Sequence, residues 1–300
     1  QNSYETKLKE KQMKEQKIIL KNIDSFEPKD IFECGQCFRW NLQENGSYLG
    51  VFGENVLQIK KEKETIIIEG ICKHDIKETV EKYFDLKRDY KQIKERLAKI
   101  DKNMAISIQY GQGIRLLNQD LWETIVSFII SANNNIPRIK GIIERLSQTY
   151  GNRITWRGKN YYTFPTAEQL KDVTIKEFRD LGLGFRDKRL YETTQMIVNQ
   201  QVNLQAMQQN PNTFQVREQL LTLSGVGPKV ADCILLFSTL KRLEVFPIDV
   251  WVRRVMNDLY IQAPNEDKVS KRQIEGMATE KFGDLAGVAQ QYLFYWRREA

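Results

Sequence analysis

The spacing of hydrophobic positions changes near residue 116 and divides the chain into two predicted parts. Before that point, apolar and polar residues alternate in short runs such as Val56–Lys60 and Thr65–Glu69, which is typical of half-buried strands. A charged turn joins these runs, and Asn45–Gly46 favours a second hairpin turn nearby. The pattern predicts an antiparallel sheet over residues 18–115. Helical spacing indicates helices on one side of it at Asp75–Phe84 and Tyr90–Ile100.

From residue 116 onward, apolar residues recur every three or four positions, as in amphipathic helices with short connections. The main segments are Leu121–Ala132, Ile136–Tyr150, Lys188–Gln200, Thr213–Leu223, Lys229–Leu240, Val250–Leu259, Lys268–Phe282 and Leu285–Arg298. We therefore predict an α+β protein with an N-terminal antiparallel sheet domain (18–115) followed by an all-helical domain (116–300). Residues 1–17 are charged and polar, and we expect them to form a solvated tail.

Composition and charge narrow the class of protein only moderately. With 300 residues and 41% hydrophobic content, the chain can form two domains with ordinary cores. Its longest apolar runs, such as Ala231–Leu240, are about half a membrane span, and its first residues lack a signal-peptide core. We therefore expect no membrane association or secretion, and a location in the cytoplasm or nucleoid of a prokaryote or the nucleus of a eukaryote. The net charge of +7 favours nucleic acid as a partner, although a lysine-rich solvated surface gives the same count.

The four cysteines are too few and too scattered to predict a disulfide scaffold. Cys34 and Cys37 form a Cys-x-x-Cys pair, which occurs in metal and redox sites. A structural zinc site needs four ligands, and the remaining candidates, Cys72, His74 and Cys233, lack ligand spacing. The sequence therefore favours reduced thiols and predicts no metal site.

The segment Leu220–Cys233 has the pattern of a helix-hairpin-helix. One predicted helix ends at Gly225, which tolerates a left-handed cap, and the next begins at Pro228, whose missing N–H costs nothing there. The turn Gly225-Val226-Gly227 allows close approach of a phosphate, which the N–H groups at the helix start can bind. Such a hairpin grips a DNA backbone without reading sequence, although an ordinary turn between helices also favours glycine and proline.

Lys229 and Asp249 are the candidate catalytic pair. Lys229 lies in the first turn of the second helix, where the positive end of the helix dipole disfavours an ammonium and so favours a nucleophilic amine. Asp249 follows Pro247 and precedes a helical pattern, so its carboxylate is expected to cap that helix and to point at the lysine. A solvated or phosphate-binding lysine and an ordinary capping aspartate are the alternatives for each residue alone.

These segments together resemble the helix-hairpin-helix superfamily of DNA glycosylases, and within it the 8-oxoguanine DNA glycosylases. Further stretches resemble that family in order and spacing over about residues 18–298. They are Gly35-Gln-Cys-Phe-Arg-Trp40, Ser131-Ala-Asn-Asn-Asn-Ile-Pro-Arg138, Leu181-Gly-Leu-Gly-Phe-Arg186 and Gly287-Val-Ala-Gln-Gln-Tyr-Leu-Phe294. Any one stretch would be weak, but the combination is specific.

In the base pocket, the resemblance implies contacts from four residues. Gly35 would offer its backbone carbonyl to the N7–H of 8-oxoguanine, a donor that normal guanine lacks. Gln290 would bind the Watson–Crick edge, while Phe294 and Cys233 would pack on the two faces of the base. Phe294 alone would more simply be a core aromatic, but it lies one helical turn after Gln290.

On the DNA, the resemblance implies that Asn133 enters the stack vacated by the flipped nucleotide. Phe185 would wedge beside the orphaned base, and its glycine neighbours favour an exposed loop tip over a core position. Arg138 and Arg186 would read the opposite cytosine, with phosphate contacts or surface ion pairs as the alternative for both.

The implied activity is that of a bifunctional DNA glycosylase and AP lyase acting on oxidised guanine in double-stranded DNA, preferentially opposite cytosine. Lys229 would attack C1′ and form a Schiff base, while Asp249 would stabilise the developing charge. No cysteine follows Cys233, so we expect no iron–sulfur cluster, unlike endonuclease III and adenine glycosylases. Alkyladenine-type relatives usually lack the lysine. We expect a monomer, and hairpin carbonyls could bind a monovalent cation; the alternative function is a non-catalytic DNA-binding module.

Overall fold

A computed structural model describes residues 12–299, and its first part is the predicted antiparallel sheet with helices. The elements of this part are β1 (Lys14–Lys21), α1 (Pro28–Glu33), β2 (Trp40–Leu42), β3 (Tyr48–Phe52), β4 (Asn55–Glu62), β5 (Thr65–Cys72), α2 (Ile76–Tyr83), α3 (Tyr90–Ala98) and α4 (Lys102–Tyr110). The sheet has the strand order β1-β5-β4-β3-β2. Ile68 of β5 pairs with Ile18 on one side and Ile59 on the other, so strand alternation collects these isoleucines on one face.

The buried face of the sheet packs on α1 and α2. Phe32 of α1 stacks on Trp40 of β2 with ring centres 4.2 Å apart, and both side chains are buried. Val80 of α2 and Phe84, which follows that helix, complete this core. Aromatic side chains therefore hold β2 and the Gly35–Trp40 stretch firmly against the sheet domain.

The start of the chain differs from the expectation. The strand β1 begins at Lys14, so the last residues of the expected tail belong to the sheet, while residues 1–11 lie outside the described part. Ile18 and Leu20 pack against the sheet core, whereas Lys17, Ile19 and Lys21 alternate with them and are exposed. The alternation is short and the strand is rich in lysine, so its first residues were predicted to belong to a solvated tail.

The second part of the chain is mainly helical, as predicted. Its elements are α5 (Leu121–Ser131), α6 (Ile136–Tyr150), β6 (Arg153–Trp156), β7 (Lys159–Tyr162), α7 (Ala167–Leu170), α8 (Ile175–Phe178), α9 (Asp187–Val198), α10 (Leu204–Gln209), α11 (Thr213–Leu221), α12 (Pro228–Phe237), α13 (Val250–Met256), α14 (Lys271–Phe282) and α15 (Ala286–Glu299). Nearly every residue of α5 is buried, because α6, α9 and α12 pack around it. Within residues 12–299, no helix is both long and apolar enough to cross a membrane.

The prediction of an all-helical second part is wrong at β6 and β7, which form a hairpin. Arg157 and Gly158, between the strands, both have positive φ, as a two-residue hairpin turn requires. Arg157 stacks on Trp156 and forms ion pairs with Glu15 and Glu69 of the sheet domain. The strands are only four residues long, and β6 alone alternates polar and buried apolar residues. Because so short a pattern is a weak signal and the hairpin is stabilised by contacts with distant residues, the sequence did not reveal it.

The two parts meet around Gln36, which is fully buried. Its side-chain amide donates to the carbonyl of Arg115 over 2.7 Å and accepts from the N–H of Leu117 over 2.9 Å. Gln119 in turn donates to the carbonyls of Gln36 and Phe237. These bonds satisfy the backbone of the connection between the domains and fix the position of neighbouring Gly35.

Candidate active site and nucleic-acid interface

The predicted hairpin lies between α11 and α12. The helix α11 ends at Leu221 rather than at Gly225, but Gly225 does have a positive φ of 82°. A Cβ at this glycine would lie 3.0 Å from the Cβ of Arg189, so a larger residue is excluded by backbone conformation and by contact. Val226 is buried, whereas a Cβ at Gly227 would meet nothing within 4 Å. Open space therefore lies in front of the start of α12, where N–H groups lack helical partners.

Lys229 and Cys233 lie in the first two turns of α12, and the charge of Asp249 acts on the same thiol. Lys229 is the second residue of α12 and is half-buried, and the buried Cys233 follows it by one turn. Burial raises the pKa of the Cys233 thiol to about 12, while the positive charge of Lys229 lowers it and the negative charge of Asp249 raises it. Both charges thus lie within electrostatic reach of one thiol, although they are twenty residues apart in sequence.

Asp249 caps α13, as predicted. One carboxylate oxygen accepts a hydrogen bond of 2.8 Å from the N–H of Val252, and the backbone at Asp249 is extended. The residue is exposed. The cap therefore fixes the orientation of the carboxylate.

The helix α15 places Gln290 and Phe294 against the segment that leads to Asp249. Gln290 is only 4% exposed, and its amide nitrogen donates to the carbonyl of Pro247. The half-buried ring of Phe294 meets Phe246 edge to face at 6.2 Å. Gln290 is therefore already bonded to the loop that carries Asp249, which the sequence did not indicate.

Gly35, which follows α1 in the chain, packs against the C-terminal end of α15. Its φ is 91°, and a Cβ on it would come within 3.3 Å of a guanidinium nitrogen of Arg298. Arg298 follows Phe294 by one helical turn and donates to the carbonyl of Glu33. The structure thus brings Gly35 to the helix that carries Gln290 and Phe294.

The expected DNA-contacting residues form a second group. Asn133 is exposed with a φ of 50° in the loop between α5 and α6. Arg186 is 1% exposed, and its guanidinium donates to the carbonyls of Ala132, Asn133 and Leu183. This side chain was expected to contact the opposite cytosine, and in this structure its hydrogen bonds hold the backbone of the Asn133 loop.

Phe185 projects from the loop before α9 and is 54% exposed. The guanidinium carbon of Arg186 lies 4.2 Å from the centre of its ring, at a distance typical of a cation–π contact. Exposed Arg138 reaches the same loop, because a Cβ at Gly184 would lie 3.6 Å from its guanidinium. The exposed ring, the exposed amide of Asn133 and the exposed Arg138 thus lie on one surface, and the buried Arg186 contacts both the ring and the Asn133 loop.

The sequence did not predict three further features of the structure. Arg189 follows Phe185 by four residues at the start of α9, and this spacing could have revealed it. Gln36 anchors Gly35, but its partners are distant in sequence. Glu123 lines a cavity of about 290 Å³ between the sheet and α5, away from Lys229 and Asp249.

The sequence predicts reduced cysteines and no metal site, and two of the cysteines, Cys34 and Cys37, flank Gly35 and Gln36. Cys34 and Cys37 are buried and not joined by a disulfide, and burial raises the pKa of the Cys34 thiol to about 12. This environment disfavours the thiolate that redox or metal chemistry requires. Across the described residues, no group of three or more His, Cys, Asp or Glu side chains could hold a metal ion.

Comparison with known proteins assigns the family. The 8-oxoguanine DNA glycosylase N-terminal domain matches residues 18–125, and the HhH-GPD superfamily of base excision DNA repair proteins matches residues 126–279. An N-glycosylase/DNA lyase from Saccharomyces cerevisiae is 31% identical over 88% of this chain and 81% of its own. A probable N-glycosylase/DNA lyase from Methanothermobacter thermautotrophicus is 31% identical over 75% and 76%.

A solved structure extends the similarity to the whole fold. It is the crystal structure of Clostridium acetobutylicum 8-oxoguanine glycosylase/lyase in complex with dsDNA containing cytosine opposite 8-oxoG. The two chains align with a TM-score of 0.89 and 44% identity, over 96% of this chain and 98% of that one. This chain therefore belongs to the HhH-GPD superfamily of base excision DNA repair proteins and, within it, to the 8-oxoguanine DNA glycosylases.

Proposed function

We propose that this protein removes 8-oxoguanine from double-stranded DNA, preferentially opposite cytosine, and then cleaves the strand at the abasic site. The observation that carries the proposal is the position of Lys229 and Asp249, whose charges both act on the buried Cys233 thiol. This arrangement supplies an amine to attack a sugar, a carboxylate to stabilise its charge and a small apolar side chain to pack on the base. Family membership supports oxidised guanine as the substrate.

The chemistry uses the amine of Lys229 as the nucleophile. Its nitrogen bonds to C1′ of the deoxyribose, the N-glycosidic bond breaks, and the base leaves with the bonding electron pair and gains a proton. Opening of the sugar ring gives a Schiff base, and loss of a proton from C2′ then breaks the C3′–O bond. Hydrolysis frees Lys229. The carboxylate of Asp249, held by its cap, stabilises the positive charge on the sugar.

The base pocket is assigned to the face of α15 beside this pair. The amide nitrogen of Gln290 is bonded to Pro247, which leaves its oxygen to accept from the N1–H and N2–H donors of the base. Phe294 and Cys233 pack on the two faces of the base. The carbonyl of Gly35 accepts from the N7–H of the oxidised base, and normal guanine lacks this donor.

The DNA is held open by the second group of residues. Flipping a nucleotide costs a few kcal/mol, which Phe185 offsets by wedging into the stack and Asn133 by filling the gap. Arg138 is exposed and can contact the opposite cytosine directly. Arg186 can do so only after releasing carbonyls such as that of Ala132, so Arg138 is the principal reader. The hairpin turn 225–227 binds phosphate, and the monovalent cation expected there stays a prediction.

A panel of duplexes tests this function. With 8-oxoguanine opposite each of the four bases, we expect excision of the lesion, fastest opposite cytosine, and a covalent adduct after borohydride reduction. Lys229→Gln should keep lesion binding but lose the adduct, because only the nucleophile is removed. Base release without an adduct would reject the lysine mechanism. Binding without base release would instead support a non-catalytic DNA-binding module.

A further inference from the structure

The helix α9 joins the exposed wedge to the hairpin. Phe185 lies two residues before this helix, whose first turns pack against the hairpin turn. The hydroxyl of Thr193 donates to the carbonyl of Ser224 over 2.8 Å, and the hydroxyl of Ser224 donates to the carboxylate of Glu192 over 2.7 Å. Phe185 therefore lies just before the start of α9, and the turn between α11 and α12 packs along the side of the same helix.

Arg189 lies at the centre of this arrangement and touches both sides of it. Its aliphatic stem packs so closely on Gly225 that a Cβ there would lie 3.0 to 3.3 Å from three of its carbons. Its guanidinium carbon lies 5.0 Å from the ring centre of Phe185. The aliphatic part, or stem, of an arginine side chain is long and apolar. It can therefore pack on a neighbouring element and fix the distance to it while the guanidinium stays at the surface.

The positive charge of Arg189 is not neutralised by an acid. Among residues 12–299, no carboxylate lies within ion-pair distance of it. Desolvation lowers the pKa of the neighbouring Arg186, and the charges of Arg138 and Arg189 lower it further. The guanidinium groups of Arg186 and Arg189 pack on the exposed ring of Phe185, and the charge of Arg138 acts on the same Arg186. The mutual repulsion of these charges makes the surface suited to an anion, such as a phosphate of a nucleic-acid backbone.

We propose that Arg189 is a DNA-contacting and positioning residue. Its guanidinium binds a backbone phosphate between the phosphates held by the hairpin and the base pair opened by Phe185. Its stem keeps Phe185 at a fixed distance from the hairpin turn at Gly225. The assignment rests on the proposed DNA repair function, but it concerns binding and can be tested without base excision.

The test measures equilibrium binding of the full chain to a duplex with a tetrahydrofuran abasic analogue, over a series of salt concentrations. Loss of one phosphate contact lowers the slope of log affinity against log salt by about 0.9 and weakens binding about eightfold at 0.1 M salt. We expect this change for Arg189→Met and Arg189→Gln, and we expect Arg189→Lys to retain the slope. Arg157→Met is the matched control, because Arg157 is already paired with Glu15 and Glu69.

A second measurement tests the positioning role of the aliphatic part of the Arg189 side chain. A 2-aminopurine beside the analogue brightens when a wedge unstacks it, so Arg189→Met should keep the fluorescence and Arg189→Ala should lower it. An unchanged salt slope in both neutral variants, or an equal change in Arg157→Met, would overturn the phosphate contact. Equal fluorescence in Arg189→Ala and the wild type would overturn the positioning role. If the slope changes as expected but the wild type excises no base, the inference stands and the proposed function fails.

Discussion

Replacing Glu123 with glutamine should stabilise the protein above neutral pH. Glu123 is in the first turn of α5, on the wall of the cavity between the domains. Desolvation there raises the pKa of its carboxyl to about 7 from the ordinary 4.5, although Arg39 lowers it. The folded state therefore binds the proton more tightly than the unfolded state, and stability is lost as pH rises from about 4.5 to 7. A difference of this size corresponds to about 3 kcal/mol as an upper bound.

Urea unfolding of wild type and Glu123→Gln between pH 4.5 and 8.5 measures this effect. Glutamine has nearly the same shape but no charge, so the variant should match the wild type near pH 4.5. It should gain up to about 3 kcal/mol by pH 8. Glu95→Gln, at an exposed glutamate of α3, is the control and should show no such trend. A variant less stable than wild type at pH 8 would mean that attraction to Arg39 outweighs desolvation.

Two further predictions concern the candidate site. Gly225→Ala should lower the free energy of unfolding by about 1–2 kcal/mol because of its positive φ, whereas Gly227→Ala should leave urea stability unchanged but weaken DNA binding, since it fills the space at the hairpin. Equal stability losses in the two variants would refute the difference between the glycines. Gln290→Ala loses the bond to Pro247 and should slow single-turnover excision at least tenfold with little change in binding to undamaged duplex; an unchanged rate would remove Gln290 from the pocket.

The turn between α11 and α12 and the Asp249 cap were predictable because the residues that determine them are adjacent in sequence. Glycine permits a positive φ and proline fixes φ, and Asp249 caps the helix that starts directly after it. Their physical consequences therefore appear within one stretch of sequence. The convergence of Lys229 and Asp249 depended instead on the family resemblance, since the spacing alone only allowed a helix and a return loop.

The features that were missed depend on partners distant in the chain. Arg186 was expected to read the opposite cytosine, and its bonds to carbonyls 54 and 53 residues away in sequence, which bury it, were not predicted. The strands β6 and β7 are too short for their pattern to predict a hairpin, which is held by ion pairs between Arg157 and the sheet domain. Such contacts exist only after folding, so no local pattern records them.

Mapping the borohydride-trapped adduct by peptide mass spectrometry tests the central claim most directly. The protein is incubated with a duplex carrying 8-oxoguanine opposite cytosine, reduced, digested with protease and nuclease, and sequenced. The account predicts that the sugar remnant is attached to the side chain of Lys229. A remnant on another lysine, or excised base with no modified peptide, would contradict it.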